Sequence, residues 1–144
     1  MNLWRHLFGH DPALRHHGHL AGTGEYATHV EAESEYQDAL EAIVGGRSEA
    51  EAWHECTAFL VPETDDPADP HAVAVQVGGL KVGALNREEG ERYRAFLAAA
   101  ELDRVASCDA VIYGGWRRGG AEGYFNVRLD LLWPLELREA VPEE

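Results

Sequence analysis

The fold is decided by the stretch Cys56–Asn86, which has the sequence CTAFLVPETDDPADPHAVAVQVGGLKVGALN. Its first part, Cys56–Val61, is apolar and rich in β-prone residues, which predicts a strand. Pro62 ends that strand, because its ring removes the backbone N–H that a strand ladder needs. The next segment, Glu63–His71, holds four carboxylates and two prolines, a composition typical of a solvated loop. The stretch therefore opens with a strand and an acidic loop.

A β-hairpin is predicted directly after the acidic loop. In Ala72–Val77 the valines alternate with smaller or polar residues, which is the period-two pattern of a half-buried strand. Gly78 and Gly79 can adopt the positive φ values of a tight turn, and Leu80–Leu85 is the returning strand. The central unit is thus a strand, an acidic loop and a hairpin.

Further strands and helices are predicted on both sides of this unit. We predict strands at Tyr26–Ala32, Ala106–Ile112 and Tyr124–Leu131, helices at Tyr36–Val44 and Arg87–Leu102, and a further helical turn at Ser48–Glu55. Ser34 precedes the first helix as an N-cap, and Asn86 caps the second. At 144 residues the chain fits one domain, mainly β with about six strands and two or three helices.

The central unit resembles the core of the HIRAN domain. The resemblance rests on the order L-V-x-E-x-x-D-P-x-D-x-x-A-V-x-V followed by G-x-x-V-G-x-L-x-R, here Leu60–Val75 and Gly79–Arg87. It extends over Tyr26–Ala99, roughly half the chain. HIRAN domains are small β-barrels related in shape to oligonucleotide-binding folds. The resemblance therefore implies a six-stranded OB-like or SH3-like β-barrel with two or three helices.

The resemblance also implies a function, because fork-remodelling HIRAN domains hold the 3′ end of single-stranded DNA. The residues that match are Tyr36, which follows the first strand, and Asp69, whose counterpart helps to hold the terminal nucleotide. The chain departs from the family pattern at five positions, two of which are Ala32 in place of a first-strand glycine and Ala84 in place of a bulky residue. Ala68 replaces a stacking aromatic, and Ser34 and Glu35 replace a basic residue and an aromatic. The contribution of one stacked base, about 1 to 3 kcal/mol, is lost with that aromatic.

A second candidate nucleic-acid surface is the tip between the last two predicted strands, GGWRRGGAEG at Gly114–Gly123. Trp116 can stack on a base while Arg117 and Arg118 contact phosphates, an arrangement that suits single-stranded nucleic acid. The alternative is an ordinary loop whose tryptophan folds back on the sheet and whose arginines pair with acidic residues. The sequence leaves both interpretations open.

The net charge of −14 is concentrated in one region and favours a different function. Residues 30–70 hold one arginine against twelve acidic residues, whereas residues 1–29 have no net charge. A field of that sign repels phosphates, and nucleic-acid binders generally carry a basic stripe. The alternative to DNA binding is therefore a protein-interaction module that docks on a basic partner, such as a DNA-binding protein. Its candidate residues are Glu31, Glu33, Glu35, Asp65 and Asp66.

The sequence divides into three parts, and we predict no metal or other cofactor in any of them. Residues 1–22 are a His-rich arm with five of the eight histidines, residues 23–131 are the barrel domain, and residues 132–144 are an acidic tail. Imidazoles bind zinc, nickel or copper, but the arm has no recognised ligand spacing. The pair His54 and Cys56 and the acidic loop also lack the spacing of a known zinc or calcium site.

Catalysis, export and membrane insertion are not predicted either. The sequence has no nucleophile elbow and no Walker loop, so we expect a protein that is not an enzyme. It has no apolar run long enough to span a bilayer and no signal peptide. Cys56 and Cys108 lie in apolar strands, where a reduced thiol is usual, so the predicted compartment is the cytoplasm.

Overall fold

The computed structural model describes residues 18–63, 70–101 and 105–138. Along the chain the strands are β1 (Thr28–His29), β2 (Ala52–Pro62), β3 (Val73–Val77), β4 (Leu80–Ala84), β5 (Ala106–Gly114), β6 (Arg117–Arg118), β7 (Ala121–Glu122) and β8 (Phe125–Asp130). A 3-10 helix at Glu33–Tyr36 leads into the helix α1 (Gln37–Val44), and the helix α2 (Arg87–Ala99) follows β4. The described chain is therefore mainly β with two α-helices, in agreement with the predicted class.

One curled antiparallel sheet of six strands forms the body, in the order β1-β8-β5-β2-β3-β4. Its two edges meet where the Glu31 N–H donates to the Ala84 carbonyl at 2.8 Å and the Ala84 N–H donates back at 3.0 Å. We call this junction, with the neighbouring Val30 and Gly83, the seam. A Cβ at Gly83 would lie 2.6 Å from the Glu31 carbonyl oxygen, so only glycine allows the two edges to approach. The sheet is a half-barrel whose edges are joined at the seam.

The strand and the hairpin of the predicted central unit are confirmed, whereas residues 64–69 of its acidic loop lie outside the described residues. β2 ends at Pro62, and the turn from β3 to β4 uses Gly78 and Gly79, whose φ angles are 60° and 83°. The predicted cap of α2 is also present, because the Asn86 side chain accepts the Glu89 N–H at 2.8 Å. The Glu89 carboxylate in turn accepts the Asn86 N–H at 3.4 Å, which completes a capping box. Local signals were sufficient for these elements.

Three other predictions need correction. Ser34 does not cap α1, because it lies inside the 3-10 helix and neither helix begins with a side-chain cap bond. The helical turn at Ser48–Glu55 is wrong, because β2 begins at Ala52 and pairs with β5 without a break as far as Leu60. A ladder of that length outweighs the helix propensity of alanine and glutamate. The strand at Tyr26–Ala32 is reduced to Thr28–His29, because Tyr26 and Ala32 have φ angles of 50° and 65°, which strands do not adopt.

The core contains side chains from the sheet and from α2, whose Tyr93 reaches both β2 and β5. Tyr93 is fully buried, and its hydroxyl donates to the Leu60 carbonyl at 2.6 Å and accepts the Ala106 N–H at 2.8 Å. Both cysteines are free thiols, and burial raises the pKa of Cys56 to about 11. Cys108, on β5, is fully buried. These thiols are therefore protonated core side chains.

Residues outside the predicted barrel boundaries also pack on the sheet. The Leu20 N–H donates to the Ser107 carbonyl at 2.7 Å, and the Ala21 N–H donates to the Glu136 carbonyl at 2.8 Å. The side chains of Leu20 and Leu135 are buried in the core. The segment 18–21 is therefore held between β5 and the segment 136–138.

Candidate functional site

The predicted tip residues lie in the ribbon, which we define as Gly115–Gly123 and which contains β6 and β7. The ribbon folds back on the connection between α1 and β2. The Arg117 N–H donates to the Ser48 carbonyl at 2.8 Å, and Arg118 Nε donates to the Glu49 carbonyl at 2.8 Å. These two bonds fix the position of the ribbon relative to the sheet.

Within the ribbon, the three predicted nucleic-acid-binding side chains contact neighbours in the protein. Arg117 Nη2 donates to Glu122 Oε2 at 2.6 Å, and this bond lowers the pKa of Glu122. The Arg118 guanidinium lies 4.8 Å from the centroid of the Trp116 ring. The indole also packs on Gly123, where a Cβ would come within 2.2 Å of Nε1. The contacts are those of a loop that folds back on the protein, with an acidic partner for Arg117.

Arg47 is a ribbon contact that sequence reasoning missed. Its side chain is only 7% exposed, and Nη1 donates to the Gly123 carbonyl at 2.6 Å. Its Nε lies 3.0 Å from Glu41 Oε1, and its guanidinium lies 4.6 Å from the Phe125 ring centroid. The signal was present, because Arg47 is the one basic residue in the acidic residues 30–70. A lone cation in such a stretch is expected to have a specific partner.

Tyr36 lies at the end of the 3-10 helix, where it is half-buried beside a lysine that the sequence analysis also missed. Lys81 Nζ lies 5.8 Å from the Tyr36 ring centroid and donates to both oxygens of Glu63 at 3.2 and 3.0 Å. Burial alone would lower the pKa of Lys81, but the bond to Glu63 raises it. Tyr36 is therefore close to the first residue of the acidic loop. The other predicted residues of that loop, Asp65, Asp66 and Asp69, lie outside the described residues.

Arg94 anchors the two ends of the acidic loop. Its Nη2 donates to the Glu63 carbonyl at 2.6 Å and to the Ala72 carbonyl at 2.8 Å. The Glu63 N–H donates to the same Ala72 carbonyl at 2.9 Å. The points where the loop leaves β2 and returns toward β3 are thus fixed by one arginine of α2.

The predicted acidic face divides into exposed and internal carboxylates. Glu31 and Glu35 are exposed, whereas Glu33 Oε2 accepts the Val127 N–H at 3.0 Å. Burial raises the pKa of Glu33, as expected for a carboxylate drawn into the fold. Burial also raises the pKa of Glu89, and the charges of Glu31 and Glu88 raise it further. We call Glu31, Glu88 and Glu89 the seam carboxylates, because the charges of Glu31 in the seam and of Glu88 in the first turn of α2 both act on Glu89.

A hydrogen-bonded chain of serine, histidine and aspartate is also present, which no motif in the sequence predicts. His19 Nδ1 lies 2.8 Å from Ser107 Oγ, and His19 Nε2 lies 3.1 Å from Asp109 Oδ1. A hydrolytic triad needs an accessible nucleophile, but Ser107 is only 5% exposed. Its N–H donates to the Gly18 carbonyl and its carbonyl accepts the Leu20 N–H. The chain of bonds therefore holds the segment 18–21 on β5.

The sequence offers metal ligands at three places, which are the His-rich arm, the pair His54 and Cys56, and the acidic loop. Of the arm histidines, the structure describes only His19, whose ring nitrogens both have protein partners. Over residues 18–63, 70–101 and 105–138, no three His, Cys, Asp or Glu side chains form a group that could hold a metal ion.

Comparison with protein-family models, with curated proteins and with solved structures finds no match to this chain. Over the part of the chain that the structure describes, no helix has the length and hydropathy to cross a bilayer. Any functional assignment therefore rests on the residues themselves.

Proposed function

We propose that this chain is a non-catalytic, HIRAN-like binding module of the cytoplasm that docks on a basic protein through its acidic face. Its six-stranded sheet, joined at the seam, supports an OB-like or SH3-like barrel as the finer description of the fold. The arginines of the ribbon contact an acidic side chain, a carbonyl and an aromatic ring of the same chain, which weakens the case for phosphate contacts.

The observation that carries the proposal is the group of seam carboxylates. Like charges held close together raise one another's pKa and cost stability in the free protein. Burial is the main cause of the raised pKa of Glu89, and the charge of Glu31 adds to it. Glu35 lies exposed on the adjacent 3-10 helix. A cationic surface that docks here relieves the repulsion and gains electrostatic complementarity. The acidic face is therefore better suited to a basic partner than to a nucleic acid.

The test compares a basic peptide with DNA as probes. A fluorescein-labelled nona-lysine peptide is titrated by fluorescence anisotropy with the wild type and with Glu31→Gln/Glu35→Gln, at low and moderate salt. We expect the double variant to bind more weakly, because two exposed charges are removed. The matched control is Glu25→Gln/Glu136→Gln, which removes two exposed charges elsewhere. Equal loss in the two double variants would mean that only net charge matters, and the proposed face would be wrong.

The second candidate function is binding of a single-stranded DNA end, and the contact between Tyr36 and Lys81 favours it. An aromatic ring beside a cation, at the start of the loop that contains Asp69, suits a terminal nucleotide. Labelled single-stranded DNA with a free or blocked 3′ end distinguishes the two functions. Binding that needs the free 3′-hydroxyl and is lost in Tyr36→Ala would favour the DNA function. Binding that does not depend on a free 3′ end and is lost in Arg117→Ala/Arg118→Ala would place DNA on the ribbon.

A further inference from the structure

Three aromatic side chains form a continuous group on the solvent-exposed face of the sheet, and none of them belongs to the ribbon or to the acidic face. Trp53 on β2 and Tyr113 on β5 are cross-strand partners whose ring centroids lie 6.2 Å apart. Tyr26 meets Trp53 edge-on, with centroids 6.2 Å apart and an interplanar angle of 76°. We call Tyr26, Trp53 and Tyr113 the aromatic platform. Trp53 is 62% exposed, which is unusual for a tryptophan on a sheet.

The platform already binds a guanidinium from within the protein. Arg128, on the neighbouring strand β8, places its guanidinium carbon 5.2 Å from the Tyr113 ring centroid. Tyr113 and Trp53 are adjacent along the same row of the sheet, but Trp53 is much more exposed. The contact between Arg128 and Tyr113 therefore shows which chemistry this surface accepts.

Carboxylates give the platform a negative character. Trp53 Nε1 donates to Glu55 Oε2 at 3.1 Å, so this carboxylate lies at the edge of the indole. Burial raises the pKa of the Tyr26 hydroxyl, and the charges of Glu55, Asp109 and Asp130 raise it further. An aromatic face attracts a cation through its quadrupole, and neighbouring anions strengthen that attraction.

We propose that the exposed face of Trp53 binds an arginine side chain of a peptide or protein, with its guanidinium stacked on the indole and hydrogen-bonded to Glu55. Arginine fits better than lysine, because the guanidinium is planar, weakly hydrated and able to donate to a carboxylate while it stacks. A nucleotide fits less well, because the Glu55 carboxylate at the edge of the indole repels its phosphates. This site goes beyond the proposed function, since it involves none of the seam carboxylates.

The test compares nona-arginine with nona-lysine, both labelled with fluorescein, by fluorescence anisotropy at moderate salt. We expect Trp53→Ala to weaken nona-arginine binding by about fivefold to tenfold. The same substitution should change nona-lysine binding much less, and Trp53→Phe should restore most of the affinity for nona-arginine. The matched control is Tyr124→Ala, which removes an aromatic that is 66% exposed and outside the platform. This control should bind both peptides as the wild type does.

Three results would overturn the proposal. If Trp53→Ala weakened the binding of both peptides equally, the attraction would be electrostatic in general. If it weakened neither, the indole would not be part of the binding site. Binding of a labelled oligothymidine that is lost in Trp53→Ala would assign the platform to nucleobases. The Glu31→Gln/Glu35→Gln variant should still bind nona-arginine and nona-lysine with different affinities. The experiment can therefore reject the acidic face as a docking surface without rejecting the platform as an arginine site, and the reverse.

Discussion

The six-stranded sheet and the ribbon use their polar groups in opposite ways. The sheet is held by buried polar groups: the hydroxyl of Tyr93, on α2, bridges β2 and β5, and the Asp130 carboxylate of β8 accepts N–H groups from residues 23, 24 and 26. In the ribbon, the ion pair of Arg117 and Glu122 is exposed to solvent. A buried hydrogen bond is costly to break, whereas an exposed ion pair contributes little.

Because of this difference, the charged side chains of the ribbon can exchange one ion-pair partner for another. Water screens the pair of Arg117 and Glu122, so either residue can change partner at little cost to the fold. The sheet cannot do the same, because its buried donors and acceptors would be left without partners. The comparison predicts that substitutions in the sheet change stability and that substitutions of exposed charges change binding alone.

The largest effect is expected at the seam. Gly83→Ala should lower the free energy of unfolding by about 2 to 4 kcal/mol, because the added methyl collides with Val30 and the Glu31 carbonyl. Gly119→Ala in the ribbon is the matched control, since its φ is 52° and a Cβ there meets nothing within 4 Å. It should cost only about 1 kcal/mol for the left-handed backbone. Urea unfolding measures both, and equal losses would contradict the proposed contrast.

A smaller effect that depends on pH is expected at Asp130. Burial alone would raise the pKa of this carboxyl, but hydrogen bonds from the N–H groups of Gly24, Tyr26 and Thr23 lower it overall. A carboxyl whose pKa is lower in the folded state stabilises the fold above its unfolded pKa of about 3.9. That stabilisation is lost as the pH falls through the folded pKa.

Asp130→Asn should therefore lower the free energy of unfolding at pH 7 by about 1 to 3 kcal/mol. The difference from the wild type should narrow as the pH is lowered below about 4. Urea unfolding between pH 7 and pH 3 measures this dependence, with the exposed Asp38→Asn as control. A difference that stays constant over this range would mean that the charge of Asp130 does not contribute.

The smallest effect is expected for the exposed pair of the ribbon. Arg117→Ala should leave the urea midpoint unchanged, because its partner Glu122 is also solvated and the pair is screened. Arg47→Ala is the matched arginine, since its buried side chain donates to the Gly123 carbonyl. It should shift the midpoint clearly. A similar shift in both variants would remove the distinction between exposed and buried polar contacts.

Much of the sheet could be predicted from the sequence, because its signals are local. The alternation in β3, the turn at Gly78–Gly79 and the cap at Asn86 each depend on neighbouring residues. The seam could not be predicted, since it joins Glu31 to Ala84 across much of the chain. The error at Ser48–Glu55 has the same cause, because pairing with β5 overrides the local helix propensity.

The candidate site was less predictable than the fold. Sequence placed Trp116, Arg117 and Arg118 together in a hairpin but could not show that Glu122 and the Glu49 carbonyl contact the two arginines. Lys81, Arg94 and Arg47 were missed, because their partners are carbonyls and carboxylates remote in the sequence. The platform was missed because Tyr26, Trp53 and Tyr113 come from three separate segments.

The segment 18–21 has hydrogen bonds to Ser107 of β5 on one side and to Glu136 and Arg138 on the other. During synthesis it leaves the ribosome long before either neighbour exists. Its backbone N–H and carbonyl groups stay hydrogen-bonded to water until β5 and residues 136–138 have been synthesised. Co-translational folding of this sheet can therefore begin at the β3–β4 hairpin, but its last backbone hydrogen bonds form only after residue 138 has been added.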